Sequence, residues 1–133
     1  MIIGCVTKTK LADYQPNSAE EKVVFNFINE CDEAYQDRNM TKWLDCFHEN
    51  AQIRIYQADM WKNPVVSKQQ YKEYLKRGGD ARMINNIVDP KIIIKGNTAT
   101  IKCMNDLGAG FPMTFDMVNE EKQWRISKFD WKF

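Results

Sequence analysis

The sequence predicts an α+β domain whose helices lie on one face of a curved antiparallel sheet. Three observations carry that prediction. The last third, Lys91 to Phe133, alternates apolar and polar residues in successive runs separated by turn residues. Such period-2 patterning, interrupted at regular intervals, is the mark of strands joined by tight turns. The first half carries apolar residues at helical spacing, and the order is helix, helix, strand, helix, then four or five strands. A sheet of that kind must bury one face, and the helices are the only cover on offer.

Taken in order, Met1 to Pro16 has no helical period. Residues 1–17 are therefore expected to be a flexible lead-in and 18–133 the folded domain. Ser18 stands three residues before Glu21, the spacing of a capping box, and Glu20 and Glu21 suit the positive end of a helix dipole. Val24, Phe27, Ile28, Cys31, Ala34 and Tyr35 then recur along one face of a long helix reaching the neighbourhood of Arg38. Asn39 to Thr41 breaks the chain. Trp43, Leu44 and Phe47 form the buried side of a short second helix expected to end near His48-Glu49-Asn50.

Gln52 to Gln57 alternates, Ile53 and Ile55 against Arg54 and Tyr56, and reads as a strand. Ala58 to Pro64 is a loop carrying Trp61. Ser67 caps a third helix with Tyr71, Tyr74 and Leu75 as apolar positions, and Gly78-Gly79 ends it. Arg82 to Val88 reads as a further strand, bent at Asp89-Pro90 because proline cannot donate to a ladder. Lys91–Lys95, Thr98–Asn105, Phe111–Val118 and Trp124–Phe133 complete the sheet, with reversals at Gly96-Asn97 and Glu120-Glu121-Lys122.

At 133 residues the chain is one domain, long enough to bury roughly two-thirds of its unfolded surface. A hydrophobic fraction of 44% with 12% aromatic residues excludes a disordered chain. Nineteen basic and 18 acidic residues leave a net charge of +1, with no basic stripe to track phosphates, so nucleic acid is not an expected partner. The cysteines, Cys5, Cys31, Cys46 and Cys103, are widely separated and the only histidine is His48. No zinc-like spacing results, and neither metal nor cofactor is expected.

The element order, together with Phe47-x-x-x-Ala51 ahead of the first strand and Trp124-x-Ile126 after an acidic turn, resembles the nuclear-transport-factor-2-like superfamily. Its relatives include ketosteroid isomerase, scytalone dehydratase and the SnoaL-like cyclases. The resemblance implies a cone: a curved antiparallel sheet wrapped around the long N-terminal helix, with two shorter helices and a pocket at the open end. It also places Ile55 where the isomerases carry their base, Cys31 at the tyrosine position and Thr114 at the position of the donor Asp. Ile55 cannot accept a proton and a thiol is a weak donor. Isomerase chemistry is not expected.

The ligand-pocket candidates are Tyr35, Ile55, Trp61, Tyr71, Thr114 and Asp116. Register with the superfamily points Thr114, Asp116 and Val118 into the cone, whereas hydrophobicity favours Met113, Phe115 and Met117 there. Both rows find cover if the outer face is buried in a homodimer, which is the expected assembly. His48 reads as a solvated helix end, and Cys31 and Cys103 as small core hydrophobes. The leading expectation is an exported, non-catalytic domain binding a small apolar or amphipathic ligand. The alternatives are a small lyase, isomerase or hydrolase using a pocket carboxylate such as Asp116, and a structural dimerisation module.

Location rests on Ile2-Ile3-Gly4-Cys5, which resembles the bacterial lipobox, with Val6 to Asn17 as a polar tether. A working signal needs a basic segment and an apolar stretch of roughly 7–15 residues before the cysteine. The expectation is therefore a start upstream of Met1, a lipid on Cys5 as the one membrane contact, and residence in the cell envelope or periplasm. The alternative is a cytoplasmic protein with an ordinary cysteine at that position.

Overall fold

The computed structural model describes residues 8–55, 64–78, 86–106 and 110–131. A single 3₁₀ turn, Leu11–Asp13, precedes α1 (Ala19–Gln36) and α2 (Met40–Asp45). Next come β1 (Phe47–Arg54), β2 (Val65–Ser67), α3 (Lys68–Lys76), β3 (Ile87–Lys95), β4 (Thr98–Asn105), β5 (Phe111–Glu120) and β6 (Gln123–Trp131). The six strands form one curved sheet in the order β2-β1-β6-β5-β4-β3, and the helices cover one face. The α+β class, the long helix and the two shorter ones are as the sequence predicts.

The first helix is capped at both ends. Ser18 Oγ accepts from the Glu21 amide at 3.1 Å, and Tyr14 donates its hydroxyl to the Glu21 carboxylate. At the other end Arg38 adopts φ +60°, its amide bonds to Tyr35 O at 3.1 Å, and that of Asn39 to Ala34 O at 2.8 Å. This is a Schellman ending with arginine where glycine is usual. The Arg38 guanidinium lies 5.3 Å from the centre of the Tyr35 ring, which favours it in that position. Val24, Ile28, Cys31, Ala34 and Tyr35 face inward.

Three details depart from the sequence reading. The sheet is mixed, because β1 runs parallel to β6 while every other pair is antiparallel. The second helix stops at Asp45, and Phe47 to Asn50 belong to β1 rather than to a helix end. The stretch escaped recognition because it is irregular: the step from Phe47 to Gln52 faces only the step from Ile126 to Lys128 on β6. A polar run without period-2 alternation gives no strand signal. Finally, Cys31 is not merely a core hydrophobe; it is disulfide-bonded to Cys46, Cα to Cα 6.2 Å, within the usual range for such a bond. Of the expected strand Arg82–Val88, residues 82–85 lie outside the described residues, and β3 begins at Ile87. Gln52–Gln57 is β1 only as far as Arg54, with residues 56–63 outside the described set.

The turns read from sequence are where expected. Gly96, at φ +58°, is the first central residue of the β3–β4 hairpin, a position that glycine fills without strain. Glu121 and Lys122 both have positive φ, +52° and +64°, the signature of a I′ turn. Asp89, at φ +51°, marks the bulge where β3 slips against β4 between Val88 and Lys91.

Aromatic rings fill the space between helices and sheet. Trp43 packs edge-on to Phe47 (5.0 Å) and Phe129 (6.2 Å), and Phe129 stacks on Phe115 at 4.6 Å. Tyr71 is buried beside them. Of the two competing rows on β5, Met113, Phe115 and Met117 go inward, while Thr114, Asp116 and Val118 remain half-exposed on the outer face. Transfer of apolar side chains from water decides that contest.

Candidate functional site

Arg54, Val65, Ile87, Asn105, Phe111 and Trp131 terminate their strands at one end of the sheet, as the registers require. The inner face of β4 runs toward that end as Ala99, Ile101, Cys103 and Asn105, all buried. Asn105 is fully buried at 0% exposure. Asp32 lies on α1 four residues after Ile28 and three before Tyr35, and is half-buried. Burial pushes the Asp32 carboxyl up to about 6; the Gln36 amide, donating at 3.4 Å, acts against that rise, and Glu33 adds to it.

The Cys103 thiol senses the same carboxyl. Burial first, and then the charge of Asp32, push it up to about 12. Its Sγ donates to Met113 O at 3.7 Å. A carboxyl and a thiol thus lie near one another beside an otherwise apolar interior, with Asn105 two residues further along β4. Polar groups are unfavourable in such surroundings unless something uses them. The sequence reading missed Asp32 because it followed only the apolar positions of the helix. The available signal was its spacing, four residues after Ile28 and three before Tyr35, which Glu30 and Glu33 do not share.

The predicted candidates separate into two groups. Tyr35, Ile55 and Tyr71 are buried in the core; Tyr35 packs on Trp43 at 5.1 Å, and the Tyr71 hydroxyl accepts from Trp43 Nε1 at 2.9 Å. Thr114 and Asp116 are on the other side of the sheet. Trp61 and Cys5 lie outside the described residues.

Asp116 instead belongs to an open groove of about 640 Å³ on the outer face, shared with His48, Asn50, Thr100, Glu120 and Ser127. Thr100 Oγ1 donates to Asp116 Oδ1 at 3.1 Å, and Ser127 Oγ to Asp116 O at 3.1 Å. His48 Nε2 meets Glu120 Oε2 at 3.0 Å, while its Nδ1 accepts the Asn50 amide at 3.0 Å. That second bond places the proton of a neutral imidazole on Nε2, so His48 donates to Glu120. His48 is therefore a strand residue oriented by a carboxylate rather than a solvated helix end.

No protein-family model and no curated protein sequence matches the chain. Solved structures do. An NTF2-like protein of unknown function from Pseudomonas putida KT2440 matches with a TM-score of 0.69 at 13% identity, covering 89% of both chains. An NTF2-like protein from Cytophaga hutchinsonii gives 0.69 at 12% identity over 86% of this chain and 98% of that one. The CaMKII hub of S. rosetta gives 0.66 at 13% identity over 84% and 94%. The chain has the NTF2-like fold.

In this NTF2-like cone the three positions that the isomerase resemblance singled out do not converge. Cys31 is committed to its bond with Cys46, Ile55 is buried, and Thr114 is on the outer face. Among the described residues, the carboxyl raised toward neutrality is that of Asp32, at a different position on α1.

Proposed function

We propose that the chain is an exported small-molecule-binding domain whose ligand enters the wide end of the cone and hydrogen-bonds to Asp32. The observation that carries this is the Asp32 carboxyl, partly buried on α1 beside the apolar core and pushed up to about 6 by that burial. A small number of polar groups in an apolar recess is the usual make-up of a ligand site. A module serving only structure would gain by placing an apolar residue there. The ligand class is apolar or amphipathic, with one donor for the carboxylate. Export is supported by the Cys31–Cys46 bond, since disulfides persist in oxidising compartments. The reading retains a lipid on Cys5 and a homodimer, the latter supported by a hub domain having the same fold. Titration with N-phenyl-1-naphthylamine tests the site: saturable fluorescence that changes in Asp32→Asn is expected. No enhancement would mean a cone filled by its own side chains and would end this reading.

A second reading, a small lyase, isomerase or hydrolase, is supported by the same carboxyl, because an acid–base group works best with a pKa near the working pH. Its acid–base residue is Asp32 in place of Asp116. A pH–rate profile with a limb near 6, lost in Asp32→Asn, would establish it.

A further inference from the structure

We propose that the free edge of the sheet, along Lys91–Lys95 of β3, is a docking site for an extended acidic segment of a partner protein, which adds to the sheet as a further strand. β3 is the last strand on its side of the sheet. Its first half already takes backbone from outside the sheet: Lys10 bridges to Val88 in antiparallel fashion, and the Asp89 amide donates to Thr9 O at 2.7 Å. Beyond Asp89, among the described residues, no segment pairs with that edge. Lys91 to Lys95 are held in regular register by β4 on one side only. Alternate residues therefore direct N–H and C=O groups outward, in the plane of the sheet. Lying in that plane, these groups stay accessible when two copies pack through their outer faces.

The side chains decide the occupant. Ile92, Ile93 and Ile94 are β-branched, which suits strand pairing, and all three remain half-exposed. Ile92 and Ile94 pack against the core from its rim, so an added strand completes their cover with apolar residues at the facing positions. Lys91 and Lys95 lie on the other side of the strand, both exposed, and exposed Lys102 stands beside Lys91 on β4. Among the described residues none of these three lysines is in an ion pair. A second copy is the wrong occupant. Pairing two β3 edges antiparallel about Ile93 sets Lys91 of each copy opposite Lys95 of the other, like charge on like. A strand with carboxylates at those two positions replaces that repulsion with attraction. The matching pattern is acidic, apolar, polar, apolar, acidic. In strand addition the main chain supplies affinity and alternate side chains supply specificity.

The test is an NMR titration of the full chain with the acetylated, amidated peptide Glu-Val-Thr-Val-Glu. The expected result is saturable amide shifts centred on Lys91–Lys95, with a dissociation constant of about 1 mM or below that weakens as salt is added. The peptide Lys-Val-Thr-Val-Lys should bind about ten-fold more weakly or not at all. Lys91→Glu combined with Lys95→Glu, at two exposed positions, should reverse that preference. Methylating the backbone nitrogens of the acidic peptide leaves the protein untouched and should abolish binding, because strand addition needs those donors. Absence of shifts, equal binding of the methylated peptide, a preference that the double substitution fails to reverse, or shifts centred on Asp116 and Lys128 of the outer face would overturn the proposal.

Discussion

Trp43 Nε1 donates to the Tyr71 hydroxyl at 2.9 Å, a buried bond that pins α2 to α3. Tyr71 is 1% exposed and Trp43 3%, so no water replaces the acceptor if it is removed. Tyr71→Phe should therefore destabilise the domain by about 1–2 kcal/mol. Urea unfolding measures this as a lower midpoint at unchanged slope; an unaltered midpoint would show that the bond contributes nothing net.

Asp32 makes stability fall with rising pH. Its folded-state pKa lies above its unfolded value, about 6 against 3.8, so the native state holds the proton more tightly. The favourable contribution is complete below pH 3.8 and is lost as pH rises through about 6. Allowing for the partial exposure of the side chain, the difference is on the order of 1–2 kcal/mol. Asp32→Asn should flatten this part of the stability–pH curve and stabilise the domain at pH 7, as read from denaturant midpoints across that window.

The Cys31–Cys46 bond spans a sequence separation of 15, for which the chain-entropy account gives about 3 kcal/mol. Reduction, or replacement of both cysteines by alanine, should lower the melting temperature accordingly. Cys103 should not react during the same treatment. Its thiol is buried and pushed up to about 12, so iodoacetamide at pH 8 should label it only after unfolding. Labelling of Cys103 in the native protein would contradict its placement.

Glu121 and Lys122 occupy the left-handed region in the β5–β6 turn. That conformation costs an ordinary L-residue about 1 kcal/mol or more, whereas Asn-Gly adopts it readily. Glu121→Asn with Lys122→Gly should raise stability by about 1 kcal/mol. A loss of stability would mean that the two side chains make contacts worth more than the strain.

The strands and helices were legible wherever one physical rule governed a whole stretch. Thr98–Asn105 and Ser67 with its following helix emerged as read, because alternation and capping are local. The inward turn of Met113, Phe115 and Met117 is the one that hydrophobicity favours, whereas register with the superfamily pointed Thr114, Asp116 and Val118 inward. What escaped depended on distant partners. β1 begins at Phe47 because Ile126 and Lys128 lie beside it, not because His48-Glu49-Asn50 favours a strand. Cys31 finds Cys46 through the packing of α1 on α2, and spacing alone gives no such pairing. Asp32 stood out only once burial was known, since a carboxylate in a helix is otherwise an ordinary surface residue.

The last strand in sequence, β6, lies in the middle of the sheet, between β1 and β5. A nascent polypeptide must therefore keep β1 and the β3–β5 meander apart until β6 leaves the ribosome. Most of the sequence is then synthesised before the two halves share a neighbour, and the closing step joins Phe47 to Ile126 and Ile53 to Phe129, partners far apart in the order of synthesis. Until that moment the strand pair at one side and the three strands at the other are separate rafts with open edges, the state in which sheet proteins are most exposed to self-association. Termination just before Gln123 would leave those rafts unjoined rather than produce a smaller version of the domain.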